Sequence, residues 1–142
     1  MSNIEIDDLL VALDDVDNHS ILNMTSEKIK HMKYTVLNDL GITNESINDL
    51  MSILENYVYA DEIPDIKIGS FIRWIPLKDP NKINLTRGGY VCDLNICEKG
   101  VYIVMKNQFN KYFQVSLNNC LIFRKLNNEE KILLAAMNYL NK

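Results

Sequence analysis

The run GSFIRWIPL, Gly69 to Leu77, decides the fold and holds the only tryptophan. It reads as a β-strand, in which alternate residues share a face. Ile68, Ser70, Ile72, Trp74 and Pro76 point one way; Gly69, Phe71, Arg73, Ile75 and Leu77 point the other. A strand of a small sheet normally keeps one face wet. Here both faces carry large apolar groups, so one belongs to a core and the other is covered by a helix. Trp74 is accordingly read as structural. A strand sandwiched in this way implies an α+β protein.

Upstream of the strand lies the material for that cover. Ile29, Met32, Val36, Leu37 and Leu40 repeat at helical spacing, with Thr25 or Ser26 as N-cap and Gly41 just past the end. A second stripe, Ile47, Leu50, Met51, Leu54, Tyr57 and Val58, starts from Thr43 or Asn44. The link GIT is short enough to make the two helices neighbours. Residues 25–64 are therefore expected to form a helical hairpin. Residues 1–24 alternate acids with Leu9, Leu10, Val11 and Leu13 and read as a weakly ordered or short-helix segment, a partner-docking peptide.

Downstream, the apolar period changes to that of strands. YVCDLNIC, VYIVMKN, YFQVSL and CLIFRKL follow the first strand, separated by the long connection KDPNKINLTRGG and by tight turns at EKG, QFNK and NN. Five short strands are expected over residues 65–127. Residues 128–142 read as a helix capped by Asn127 or Asn128, with Ile132, Leu133, Ala136 and Leu140 inward.

The whole-chain totals describe a globular protein: 142 residues, 47% hydrophobic and 24% charged. No apolar run approaches the roughly 18 residues of a membrane span, and MSNIEIDDLL lacks the basic start of a secretory signal. Cys92, Cys97 and Cys120 form an odd set without paired spacing, which suggests reduced thiols in an intracellular setting. The net charge of −4 conceals a division. Residues 1–64 carry thirteen acids against three lysines (net −10), and residues 65–142 twelve bases against six acids (net +6). A basic half can attract anions that the total conceals.

Five strands with one long loop first and tight hairpins afterwards, over about residues 67–125, resemble an SH3-like barrel of the Tudor and KOW kind. An OB-type barrel also has five strands, but its usual helix finds no room in NQFNK. The resemblance implies a binding module rather than an enzyme. Separately, YVYADEIPDIKIGSFIRWIPL, LTRGGYVCDLNI and FRKLNNEEKILLAAMNYL resemble small uncharacterised proteins of large DNA viruses of protists. That likeness implies a viral setting, in host cell or virion, and no particular activity.

Catalytic motifs are missing from the sequence. His19 and His31 lie far from every cysteine, there is no Cys-x-x-Cys pair, and no nucleophile elbow, P-loop or dinucleotide fingerprint occurs. No metal, cofactor or catalytic residue is expected; Asp61, Glu62 and Asp65 read as solvated acids at a junction. Candidate binding residues are basic and aromatic: Arg73, Lys82, Arg87, Lys106, Phe109, Lys111 and Tyr112. Basic barrels with interleaved aromatics neutralise phosphates and stack bases, and rings in a Tudor-like cage hold methylated cations. TRGG, Thr86 to Gly89, is read as a turn in preference to an anion nest. The hairpin resembles a helix-turn-helix, but its second helix carries Glu45, Asp49 and Glu55 and no base, so it suits a protein better than DNA.

The leading expectation is a non-catalytic binding or scaffold module that works through protein–protein contacts or self-association. The alternative is a DNA- or RNA-binding barrel regulated by its acidic N-terminal segment. Clustered Lys82, Arg87, Lys106 and Lys111 on one face would favour nucleic acid; an apolar patch rimmed by acids would favour protein.

Overall fold

A computed structural model of the chain describes residues 24–140. The acidic segment with Leu9, Leu10 and Leu13 lies outside the described residues. Helix α1 spans Ser26–Asn38 and α2 Asn44–Ile53. Six strands follow: β1 Tyr57–Tyr59, β2 Phe71–Pro76, β3 Gly89–Cys97, β4 Gly100–Lys106, β5 Tyr112–Ser116 and β6 Cys120–Lys125. Helix α3, Asn128–Leu140, ends the described part. The protein is mixed α+β, with one antiparallel sheet in the order β1-β6-β2-β3-β4-β5. No described helix is long and apolar enough to cross a membrane.

The helix starts follow their capping chemistry. The Thr25 hydroxyl accepts from Lys28 N and the Thr43 hydroxyl from Ser46 N, each relieving a backbone donor of the first turn. Asn127 accepts from Glu130 N through Oδ1, and Asn127 N donates to the Glu130 carboxylate in return. That reciprocal pair is a capping box. Gly41, at φ 71°, ends α1 in the left-handed conformation that glycine adopts most easily.

Three expectations are corrected. The sheet has six strands, not five, and with β1 and β5 at its edges it is not closed. The additional strand is Tyr57–Tyr59, expected as the end of α2. Tyr57 enters the cluster of Leu37, Ile47, Leu54, Ile75 and Phe123, whereas Val58 enters that of Ile29, Leu126, Leu133 and Leu134. Adjacent residues that serve opposite sides have the period of a strand, and aromatic and β-branched types favour it. The first long strand begins only at Phe71, because Gly69 sits at φ 87° and breaks the extended line. Leu140, expected inward, is 72% exposed.

The long strand is covered on both faces. Ile72 and Trp74 join Val91, Ile103, Met105 and Ile122 in an inner core, while Ile75 packs under the α1–α2 hairpin with Leu37, Ile47 and Leu54. Trp74, 6% exposed, is core. Its ring lies 5.5 Å from that of Phe113. These residues stand on β2 and β5, three strand spacings or about 14 Å apart in a flat sheet. The sheet is therefore strongly curled, and a bulge between Val91 and Asp93 contributes to the bend.

Buried charge joins the layers. Lys33, 3% exposed, shares the inward face of α1 with Ile29 and Leu37, and its Nζ donates to Leu54 O at 2.7 Å and Glu55 O at 3.4 Å. It thus adds a donor to the carbonyls at the end of α2, of which Leu54 O also accepts from Tyr57 N at 3.0 Å. Burial lowers its pKa, with Glu55 opposing and Lys30 adding to the effect. Lys33→Met should cost about 1–2 kcal/mol through loss of its charge-assisted bond, Leu54 O keeping Tyr57 N as a donor. The exposed Lys30→Met on the same helix should stay within about 0.5 kcal/mol. Chemical denaturation of both variants measures the difference.

Candidate functional site

Strand register brings four residues of four strands into one line. Phe71 is paired with Tyr90, Tyr90 with Lys106, and Lys106 with Tyr112. Directly opposed residues project from the same face. Lys125 extends the row, since it lies one step beyond the Ile72–Arg124 pair, opposite Phe71. The row is thus Lys125, Phe71, Tyr90, Lys106, Tyr112, on the outer surface of β6-β2-β3-β4-β5.

Contacts within the row order it. Phe71 and Tyr90 meet edge to face at 5.1 Å, and Lys106 Nζ stands 5.7 Å from the Tyr112 ring centroid. Tyr90 and Tyr112 nevertheless remain 55% and 67% exposed. The rings lie along a line rather than around a pocket, which departs from the cage geometry. Gly88 supports one end: a Cβ there would fall 2.5 Å from Ile72 O and 2.7 Å from the Phe71 ring.

The β4–β5 turn adds two more groups. Asn107 Oδ1 accepts from Phe109 N and Lys111 N, and Asn110 adopts φ 62°. This braced turn holds Phe109 at 70% exposure beside the exposed Lys111. At the other end of the row, a groove of about 550 Å³ is lined by Lys67, Ile68, Phe71, Tyr90 and Lys125.

Arg124 also borders this groove, but its charge is spent internally. Its guanidinium makes paired bonds of 2.6 and 2.8 Å to the Glu130 carboxylate, and Nε donates to Asp65 O. Arg124 is 2% exposed and Glu130 0%. This strand base is thus half of a core ion pair. Lys67 Nζ lies 3.6 Å from the same carboxylate. Burial raises the Glu130 pKa, but the bonds and charge of Arg124 outweigh it and hold the carboxyl below its ordinary range. Asp65 is shifted the other way, pushed up by burial.

The remaining expected site residues lie elsewhere. Arg73 is half-buried; Nε donates to Thr86 O at 2.8 Å, and its side chain also bonds that of Tyr57, whose pKa burial raises. It braces the 77–88 connection, whereas Lys111 is exposed to solvent. Lys82 and Arg87 are exposed on that connection, outside the row. Thr86 N already donates to Trp74 O, which leaves TRGG one donor short as an anion nest. The structure therefore unites Lys106, Phe109, Lys111 and Tyr112 and separates Arg73, Lys82 and Arg87 from them. Tyr90, Phe71 and Lys125 complete the site, and it is cross-strand register, not residue type, that brings them to it.

The three cysteines are free thiols, and burial raises the pKa of Cys120. Among the described residues, no group of three or more His, Cys, Asp or Glu side chains could hold a metal ion. What the surface offers is aromatic area, positive charge and a shallow groove. No family model, curated protein or solved structure matches the chain.

Proposed function

We propose that the chain is a non-catalytic binding module whose sheet is an SH3-like small barrel and whose ligand is single-stranded nucleic acid. The observation that carries this reading is the outward row in which lysines flank tyrosine and phenylalanine rings across neighbouring strands. Rings stack on bases of any sequence, and lysines neutralise the phosphates between them. Supporting the small-barrel reading, β6 returns to pair with β2 after a meander, and the curl brings β2 and β5 into contact inside. Two of the four bases whose clustering favours nucleic acid, Lys106 and Lys111, lie at this surface. The acids of α2 rim no comparable apolar patch; its one large exposed apolar residue is Ile53. The viral setting implied by the sequence is compatible with either nucleic acid.

The test is a titration of full-length protein with labelled single-stranded DNA and RNA across a salt series. Log affinity should fall linearly with log salt, by about 0.7 per phosphate neutralised. Lys106→Glu with Lys125→Glu should flatten that slope by about 1–2. Tyr90→Ala and Tyr112→Ala should each weaken binding about 5- to 150-fold, as expected for about 1–3 kcal/mol per stacked base, and leave the slope intact. Absence of salt-dependent binding at low ionic strength would overturn the reading and return the search to protein partners.

A further inference from the structure

Helix α1, the end of α2 and α3 enclose a second groove, of about 660 Å³. Ile29, Met51, Leu126, Leu134 and Ala135 supply its apolar lining. Its charged lining comprises Lys30, Lys33 and Lys131 against Glu55 alone. The groove is therefore apolar in its floor and positive in its rim, with Lys30 and Lys131 exposed.

The chain enters the described structure beside it. Met24 packs against Ile29, Val58, Leu126 and Leu133. Ser26, which lines the groove, exchanges two hydrogen bonds with Asn138 of α3, at 2.9 and 2.7 Å. The start of α1 is thus fixed at the groove mouth. Ahead of this point the sequence places Leu9, Leu10, Val11 and Leu13 between Glu5, Asp7 and Asp8 on one side and Asp14 and Asp15 on the other. That is an apolar centre with acidic flanks, complementary to an apolar floor with a basic rim. The ten residues 14–23 reach at most about 35 Å when extended, ample for a return to the groove.

We infer that residues 4–13 of this chain dock in cis in the groove between α1, α2 and α3, with the leucines on Ile29, Leu126 and Leu134 and the acids toward Lys30 and Lys131. Burial of the leucines supplies affinity, and the charges set position and exclude basic segments. The covalent link makes the encounter intramolecular, so a short contact suffices. This inference stands independently of the ligand on the sheet.

Zero-length carbodiimide coupling of the full-length protein, followed by peptide mass spectrometry, tests it. An equimolar mixture of 15N-labelled and unlabelled protein distinguishes links within a chain from links between chains. The expected result is intrachain amides that join Lys30 or Lys131 to acids among residues 5–15. Leu9→Ser with Leu10→Ser should reduce them about tenfold or more, the effect of withdrawing even one leucine from an apolar site. Ala135→Glu should do the same from the groove side. The inference is overturned by links between chains, by links concentrated on Lys106 and Lys125, by unchanged yields in the leucine variant, or by no links at all.

Discussion

Arg124→Met is expected to destabilise the protein by about 3–5 kcal/mol, the range for removing one partner of a buried ion pair. Methionine keeps much of the arginine's length and apolar bulk, so the loss is chiefly electrostatic. It leaves the carboxylate of Glu130, 0% exposed, without its two bonds of 2.6 and 2.8 Å. It also removes the donor that Arg124 Nε gives to Asp65 O. Lys67, at 3.6 Å, still faces the carboxylate and moves the expectation toward the lower end. Urea denaturation of the variant gives the number. The double variant with Glu130→Met should recover part of the loss, since a buried pair replaced by apolar groups is often neutral. If the double variant is less stable than Arg124→Met alone, the capping role of Glu130 matters more than its charge.

The same pair predicts the acid behaviour. The folded pKa of Glu130 lies below its ordinary value of 4.5. Its stabilising contribution is therefore complete above about pH 5 and is lost as pH falls through the lower folded value. Asp65 has a raised pKa and works in the opposite sense, favouring the fold slightly as it takes up its proton. Glu130→Gln should flatten the acid limb of the stability curve, measured from pH 7 to pH 3.

Gly88→Ala should cost about 2–4 kcal/mol and impair the binding surface as well. At φ 96° an L-residue is strained by about 1–3 kcal/mol. The added Cβ would in addition fall 2.5 Å from Ile72 O, a backbone atom held in the sheet, and 2.7 Å from the Phe71 ring. Any shift of the ring disturbs its edge-to-face contact with Tyr90 at 5.1 Å. Gly41→Ala is the control. It shares the left-handed backbone, at φ 71°, but its Cβ would meet nothing within 4 Å. It should cost only about 1 kcal/mol. Equal midpoints for the two variants would remove the close approach as the cause.

Much of the fold was legible because its signals are local. Thr25, Thr43 and Asn127 at helix starts and Gly41 at a helix end announce themselves by residue type. The two apolar faces around Trp74 required covers on both sides, and the structure supplies them. What failed depends on partners distant in sequence. Tyr57 and Val58 continue a helical spacing until β6 is present to pair with them. Arg124 looks like its exposed neighbour Lys125, and Glu130 like an ordinary first-turn acid; only the turn between them makes a buried pair. Lys33 lies outside the apolar stripe read for the first helix, and its burial follows from its reach to Leu54 O and Glu55 O, partners distant in sequence. For the site, the hairpin tip with Phe109 and Lys111 could be read from its turn. The alignment of Tyr90 with Lys106 depends on the bulge after Val91, which nothing in YVCDLNIC signals.

The contact between Trp74 and Phe113 has a kinetic corollary. It joins positions 39 residues apart and forms only when the curl is complete. Ordering so long a stretch before any reward slows folding, as in other sheets of high contact order. Because Trp74 is the only tryptophan, its fluorescence is a built-in clock for that last event. In a refolding experiment, helical circular dichroism should recover first, and tryptophan emission should follow as the sheet curls over its ring.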